Sequence, residues 1–501
     1  MYLYCYNFRV HIVKKYKFEL IIGVLIILLY FALRLPNLTL QPIFADEAIY
    51  IRWAQVMRAE PTLRFLPLSD GKTPLFMWSL MPVLKFIEDP LFAGRILSVG
   101  TGFLTLLGVG FLGWKFFNPK VGLWSGFIYS IIPYSVFFDR MALVDSMFAA
   151  FSIWSLNFAL LLVKYQRLDI AMMLGYLLGG GMLTKTPAMV NLFLLPLTVI
   201  SGKWKIKLAG LWIVSLGIAL SLYNLLRLGP NFSQLSSRNG DYTFSISFLL
   251  SHPFDPFIPH IRDLLDWFPI FLGWPVLILV VIGIILTIRE KNKTMFVILS
   301  WSLIPLLIQT AILKTFTARY LLFTIPPFLA LAGLGAVYIT KKIKISAAIK
   351  TLAIIVLLAA WPIYFNYLLL TNLEKVPLPK EERVGYLEEW TAGYGFKEIA
   401  NFLIDQKKNG SVVVGTEGYF GTLPDGLAIY LDKAEIPVIG DSATISGKLR
   451  DAAWKNKVFY VANRNRVGEN LGNANLIKEY LKVKPLDGRQ QDAIVVYQVE
   501  P

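Results

Sequence analysis

Residues 91–114 read LFAGRILSVGTGFLTLLGVGFLGW, a run in which Arg95 is the single charge. At 1.5 Å per residue a helix of this length spans about 36 Å, enough to cross a hydrocarbon layer about 30 Å thick. Apolar runs of roughly this kind recur from Phe18 onward, and short clusters of Lys and Arg separate them. Of the 501 residues 56% are hydrophobic and 16% charged, against roughly 25% charged in soluble domains. A water-soluble core cannot absorb that much apolar surface, so the chain reads as a polytopic α-helical membrane protein.

Sidedness follows from the charges. With the N-terminus placed in the cytoplasm, the inner connections carry Lys115 and Lys120, then Lys164 and Arg167, then Lys203, Lys205 and Lys207, then Arg289, Lys291 and Lys293, and finally Lys341, Lys342, Lys344 and Lys350. Each is a compact positive group beside an apolar run, the signature of a cytoplasmic loop. The spans predicted on this basis cover 18–36, 91–114, 121–138, 144–163, 169–183, 188–202, 208–226, 266–288, 294–313, 318–339 and 348–369. These eleven crossings place the C-terminus outside the plasma membrane. The run Phe18–Leu33 follows Lys14, Lys15 and Lys17 and has no small-residue cleavage site after it, so it is read as an uncleaved first helix. Spans five and six are short, and Gly179-Gly180-Gly181 weakens the fifth; one hairpin turning at Thr184–Pro187 is the alternative. Two long outer connections remain, 37–90 and 227–265, and within the first the short apolar stretch Thr73–Phe86 suits a helix lying in the membrane plane.

The net charge of +16 belongs to these loops; no soluble segment has the basic, aromatic-interleaved patch of a nucleic-acid binder. The lone Cys5 cannot form an internal disulfide. From about residue 374 the composition turns soluble, with Lys380-Glu381-Glu382-Arg383 and Glu388-Glu389 at the boundary. The chain thus divides into a membrane domain, 1–373, and an outer domain, 374–501. The outer domain has a helical pattern at Phe396–Lys407, strands at Ser411–Gly415, Ile436–Ile439, Val458–Val461 and Ala493–Val499, and a helical pattern near Ala474–Leu481, an alternation that predicts a small α/β fold. The segment Gly415–Gly421 lacks dinucleotide spacing and reads as a loop, with a ligand site as the alternative.

Polar residues at outer helix ends are the candidates for chemistry, because an ionisable group at the membrane edge is costly unless used. Asp46-Glu47 places adjacent carboxylates just past the first span. Neighbouring acids raise one another's pKa, which suits a general base; the plainer reading has Asp46 capping the helix Glu47–Arg58. Lys72, Arg95, Arg140, Lys185 and Arg319 lie on the side that the positive-inside rule disfavours. Converging on one cavity, they would attract a phosphate; the alternative is snorkelling, or pairing with acids such as Asp139 and Asp145. Asp139 and Asp145 are the candidates for a second polar site, although Asp145 also fits a helix cap. His11, His252 and His260 are the only histidines, and no His or carboxylate cluster has metal-ligand spacing, so no cofactor is expected and no metal set can be named.

Several short motifs in order resemble one family. Asp46-Glu47 follows the first span, Lys72-Thr73-Pro74-Leu75 heads the interfacial helix, Arg95 with Ser98 opens the second span, Arg140 to Asp145 precedes the fourth, and Leu183-Thr184-Lys185-Thr186-Pro187 follows the fifth. Together, over about residues 15–340, they resemble the C-type-fold membrane glycosyltransferases, within them the protein O-mannosyltransferase and aminoarabinose transferase branch. The resemblance implies an inverting enzyme that takes a sugar from a polyprenyl-phosphate carrier and passes it to a protein, or to a glycan or lipid of the cell envelope. It implies Asp46 as base, Glu47 as its assistant toward the acceptor, and Lys72 and Arg95 at the donor phosphate, with Lys185 and Arg319-Tyr320 as further candidates. Thr73 stands where related sequences usually show a second proline, and the Trp-Trp-Asp signature of oligosaccharyltransferases is absent. A transporter or lipid flippase is the rival reading; such proteins usually bind near the bilayer midplane between internal repeats, and no repeat is visible here.

Overall fold

The computed structural model describes residues 16–203, 205–468 and 471–501. Cys5, His11, Lys14 and Lys15, and the N-terminus whose side of the membrane was argued above, lie outside the described residues. Among the described residues six helices are long and apolar enough to cross a membrane: Pro90–Phe116, Val144–Tyr165, Ile206–Leu228, Lys293–Ile312, Ala318–Lys342 and Ala347–Thr371. Two broken pairs raise the number to eight: Pro119–Ile131 with Pro133–Asp139, bent by 60°, and Phe257–Leu272 with Trp274–Glu290, bent by 110°. The chain is a multi-pass membrane protein, but the expected eleven spans are not all of full length among the described residues. Lys17–Arg34 carries Lys17, Glu19 and Arg34 within 18 residues, and Leu168–Thr184 has 17 residues. The segment Thr186–Ser201 is mostly 3-10 turns.

The single span expected over 266–288 is instead two helices meeting at Gly273, whose φ of +81° a side chain would strain. Its first arm carries Arg262, Asp263 and Asp266, groups that hydrocarbon would not accept. The triple glycine, by contrast, does not break its helix. A Cβ on Gly179 would lie 2.7 Å from Leu222 Cδ1, and one on Gly180 would lie 2.4 Å from Phe151 Cε1. The missing side chains let neighbouring helices close in, the usual role of small residues between membrane helices.

The C-terminal part is a five-stranded sheet in the order β4-β3-β5-β7-β6, built from β3 (Val412–Glu417), β4 (Val438–Asp441), β5 (Lys457–Asn463), β6 (Ala474–Leu481) and β7 (Ala493–Val499). β3 pairs parallel with β4 and β5, and β7 pairs antiparallel with β5 and β6. Helices Phe396–Lys407, Asp425–Leu431 and Gly447–Ala453 accompany it. The helix expected near Ala474–Leu481 is the edge strand β6. A register shift between Leu476 and Lys478 puts an extra residue into the strand, which breaks the two-residue alternation that marks a strand in sequence.

This sheet domain is seated on the helix Ala45–Ala59. Gln55 donates to the Ile429 carbonyl at 2.9 Å, and Arg52 pairs with Asp432 at 2.7 Å. Just ahead of that helix, β1 (Ile43–Phe44) pairs antiparallel with β2 (Ala392–Gly393), joining the connection 37–90 to the start of the C-terminal domain.

Candidate functional site

The geometry begins where β1 turns into the helix Ala45–Ala59. The Ala45 N–H donates to the Thr391 carbonyl at 3.0 Å, and the Phe44 N–H donates to Glu47 Oε2 at 2.9 Å. Glu47, not Asp46, therefore caps the helix. Glu47 is fully buried and receives Arg95 Nε at 2.9 Å, Arg95 Nη2 at 2.8 Å and the Ala142 N–H at 2.6 Å. Arg95 adds three bonds to the carbonyls of Leu38, Gln41 and Pro42, so all five of its donors are occupied. Arg95, expected at a phosphate, instead clamps the connection 37–90 around Glu47.

Capping by Glu47 leaves Asp46 free to face outward. Its carboxylate pairs with Arg319 at 2.6 Å and with Lys72 at 3.4 Å. Lys72 also meets Asp70 at 3.4 Å, and Asp70 holds Arg238 at 2.6 Å. Beside this pair, Lys185 meets Asp145 at 2.6 Å and lies 4.0 Å from the centre of the Tyr320 ring. Arg319 lies over the same ring and over Phe44, at 5.0 and 5.2 Å. Six expected residues thus converge: Asp46, Lys72, Asp145, Lys185, Arg319 and Tyr320.

Burial alone would raise the Asp46 pKa, but Lys72 and Arg319 outweigh it and hold the carboxyl well below the usual carboxylate range. The expectation that its acidic neighbour would raise it is not met, because the Glu47 charge is neutralised by Arg95. Lys72 is shifted up: the burial that disfavours its charge is overcome by Asp46, Tyr242 and Asp70.

Asp139 and Arg140 lie elsewhere. Asp139 is buried and accepts from Arg34 Nε at 3.0 Å, Tyr129 at 3.1 Å and Ser146 at 2.8 Å. Arg140 donates to the carbonyls of Arg34, Pro36 and Asn37 at 2.6, 2.9 and 2.8 Å. Both tie the end of the first helix to the bend at Pro133–Asp139 and do not enter the Asp46 cluster.

Residues 71–226 match the dolichyl-phosphate-mannose-protein mannosyltransferase family. No curated protein matches this sequence. ArnT from Cupriavidus metallidurans, solved in the apo state and bound to undecaprenyl phosphate, superposes with a TM-score of 0.58 at 13% identity, over 96% of this chain and 98% of that one. The Archaeoglobus fulgidus oligosaccharyltransferase AglB, in complex with an inhibitory peptide and a dolichol-phosphate, gives 0.55 at 11% identity, over 90% of this chain and 70% of its own. This chain has the fold of ArnT and AglB, the C-type glycosyltransferase fold. The family match includes Lys72, Asp145 and Lys185 but neither Asp46 nor Arg319.

Within this fold the site includes residues that sequence reading passed over. Tyr50, one helical turn after Asp46, and Trp53 flank Lys72 at 5.1 and 5.7 Å from their ring centres; their four- and seven-residue spacing from Asp46 was the available signal. Glu382, read as part of a solvated boundary, is buried and accepts the Ala318 N–H at 2.8 Å, next to Arg319. Burial pushes its carboxyl up to about 7. Among the described residues no group of three or more His, Cys, Asp or Glu could hold a metal ion. His260 is accounted for by a hydrogen bond between Nδ1 and the Thr310 carbonyl and by stacking on Phe316.

Proposed function

We propose that this protein is an inverting glycosyltransferase that takes a sugar from a polyprenyl-phosphate carrier on the outer face of the membrane. The observation that carries the reading is the meeting of one acid, Asp46, with two cations, Lys72 and Arg319, at the base of the extramembrane domain. Solved relatives of the fold are held with undecaprenyl phosphate and dolichol-phosphate, which supports a lipid-phosphate donor here. The loop charges support a cytoplasmic N-terminus and an outer C-terminal domain.

In this reaction an acceptor hydroxyl gives its proton to Asp46 as its oxygen bonds to the anomeric carbon. The bond from that carbon to the phosphate oxygen breaks, and the electron pair leaves with the lipid phosphate. Lys72 and Arg319, with Lys185 beside them, stabilise the charge that gathers there. Asp46 is tied to the same cations in the free protein, so a phosphate that engages them releases the carboxylate to serve as base. Glu47 acts by aiming the first helical turn.

The test is Asp46→Asn, assayed as polyprenyl-phosphate release from a polyprenyl-phosphate hexose in nanodiscs. The expected loss is about 10²- to 10⁴-fold, the usual contribution of a general base, with unchanged elution as a monodisperse particle. Turnover within a few-fold of wild type refutes the assignment.

A further inference from the structure

The loop after β3 reaches the site from the C-terminal domain. Phe420 packs on Trp53 with ring centres 5.9 Å apart, and Trp53 borders Lys72. Gly421, at φ +110°, brings the loop against Trp390: a Cβ there would sit 3.5 Å from its Cζ3. Arg466 lies 4.6 Å from the Trp390 ring centre and is held by Glu417 at 3.0 Å. Glu417 is buried, and its second oxygen accepts from Asn463 Nδ2 at 2.6 Å. Two sets of contacts therefore meet at the loop Phe420-Gly421: Lys72, Trp53 and Phe420 on one side, and Trp390 with the anchored Arg466–Glu417 pair on the other.

Two of these rings are not covered: Phe420 is 45% and Trp390 39% exposed. Rings of this size dominate contact energy where something packs on them, and beside Trp390 lies a guanidinium that the buried Glu417 fixes in place. A sugar ring has the complementary form, an apolar C–H face with hydroxyls around its rim. A lipid surface would favour the rings but not the charged pair set against Trp390.

We propose that Phe420, Trp390 and Arg466, the last held in place by Glu417, bind a sugar ring of the acceptor, so that the acceptor is a glycan and not an unmodified peptide. The proposal rests on the glycosyltransferase reading and names the substrate class on the side away from the donor.

The test uses full-length protein in nanodiscs, with binding read by saturation-transfer NMR for mannotriose, cellotriose, chitotriose and a serine- and threonine-containing hexapeptide. At least one trisaccharide binds and the peptide does not. Phe420→Ala and Trp390→Ala each weaken trisaccharide binding roughly tenfold, about 1.4 kcal/mol, and Arg466→Gln weakens it in the same direction. Trp454→Ala, which removes a 75% exposed ring at the end of the helix Gly447–Ala453, leaves binding intact. Absence of trisaccharide binding, binding indifferent to Phe420 and Trp390, or peptide binding that depends on them overturns the proposal. Because this readout needs no catalysis, trisaccharide binding without any lipid-phosphate release would sink the glycosyltransferase reading alone. Release without trisaccharide binding would sink only the glycan acceptor.

Discussion

Glu47→Gln separates two adjacent acids whose roles the fold divides. In the native site each carboxylate oxygen of Glu47 receives two N–H donors: Arg95 Nε and Ala142 on Oε1, Arg95 Nη2 and Phe44 on Oε2. A glutamine amide presents one NH₂, and whichever way it turns, that group faces two donors. Two hydrogen bonds are lost, and the Arg95 charge is left without its counter-charge in a site where both side chains are 0% exposed. Breaking one side of a buried pair costs about 3–5 kcal/mol. At about 2 °C per kcal/mol for a large domain, melting should fall by roughly 6–10 °C. The assay is thermal unfolding of the protein in nanodiscs, followed by intrinsic fluorescence. A Glu47→Gln melting temperature within about 2 °C of wild type would refute the reading of Glu47 and Arg95 as a structural clamp.

Four further outcomes follow from the same geometry. Arg319→Gln should lower donor turnover by about 10²- to 10³-fold, as loss of one preorganised charge stabiliser does, measured as lipid-phosphate release. Because Asp46 titrates below the usual range, wild-type kcat/KM should show no acid limb from it near pH 4; Arg319→Gln should move that limb upward, and an unmoved limb would count against the pairing. For Glu382 the folded pKa is raised from 4.5 to about 7, so its contribution is full below pH 4.5 and lost as pH rises through 7. The difference of about 2.5 units corresponds to ~3 kcal/mol. Stability measured from pH 5 to 8 should decline in wild type and stay flatter in Glu382→Gln. Gly393→Val should loosen the C-terminal domain, since even a Cβ there would lie 2.3 Å from Phe396 Cε2 and 2.7 Å from Ile43 Cγ2; limited proteolysis of the 372–395 segment should quicken.

Local pattern and long-range packing account for what sequence could and could not reveal. Phe396–Lys407 is read with correct bounds because its helical periodicity is intact, and Ala493–Val499 because its apolar, β-branched run is buried through most of its length. Ala474–Leu481 is misread because its bulge hides the alternation and Lys478-Glu479 suit a helix locally. At the site, sidedness picks out the cations that lie near Asp46 but cannot sort them from those that do not. Arg95 and Arg140 sit at the same ends of helices as Lys72 and Lys185, and only the positions of carbonyls such as those of Leu38 and Pro36 show that their donors are already engaged. Glu382 looked solvated because its neighbours are charged, yet Arg383 turns away to Glu388 at 2.7 Å.

The two-residue ladder between Ile43–Phe44 and Ala392–Gly393 joins parts of the chain that are made far apart in time. At roughly 5–20 residues per second, the ribosome reaches the second half of that ladder long after the first has left the tunnel. A growing or truncated chain therefore holds Asp46 on a helix whose entry has no lateral partner. Completion of the polypeptide is in this sense the last component of the site to arrive.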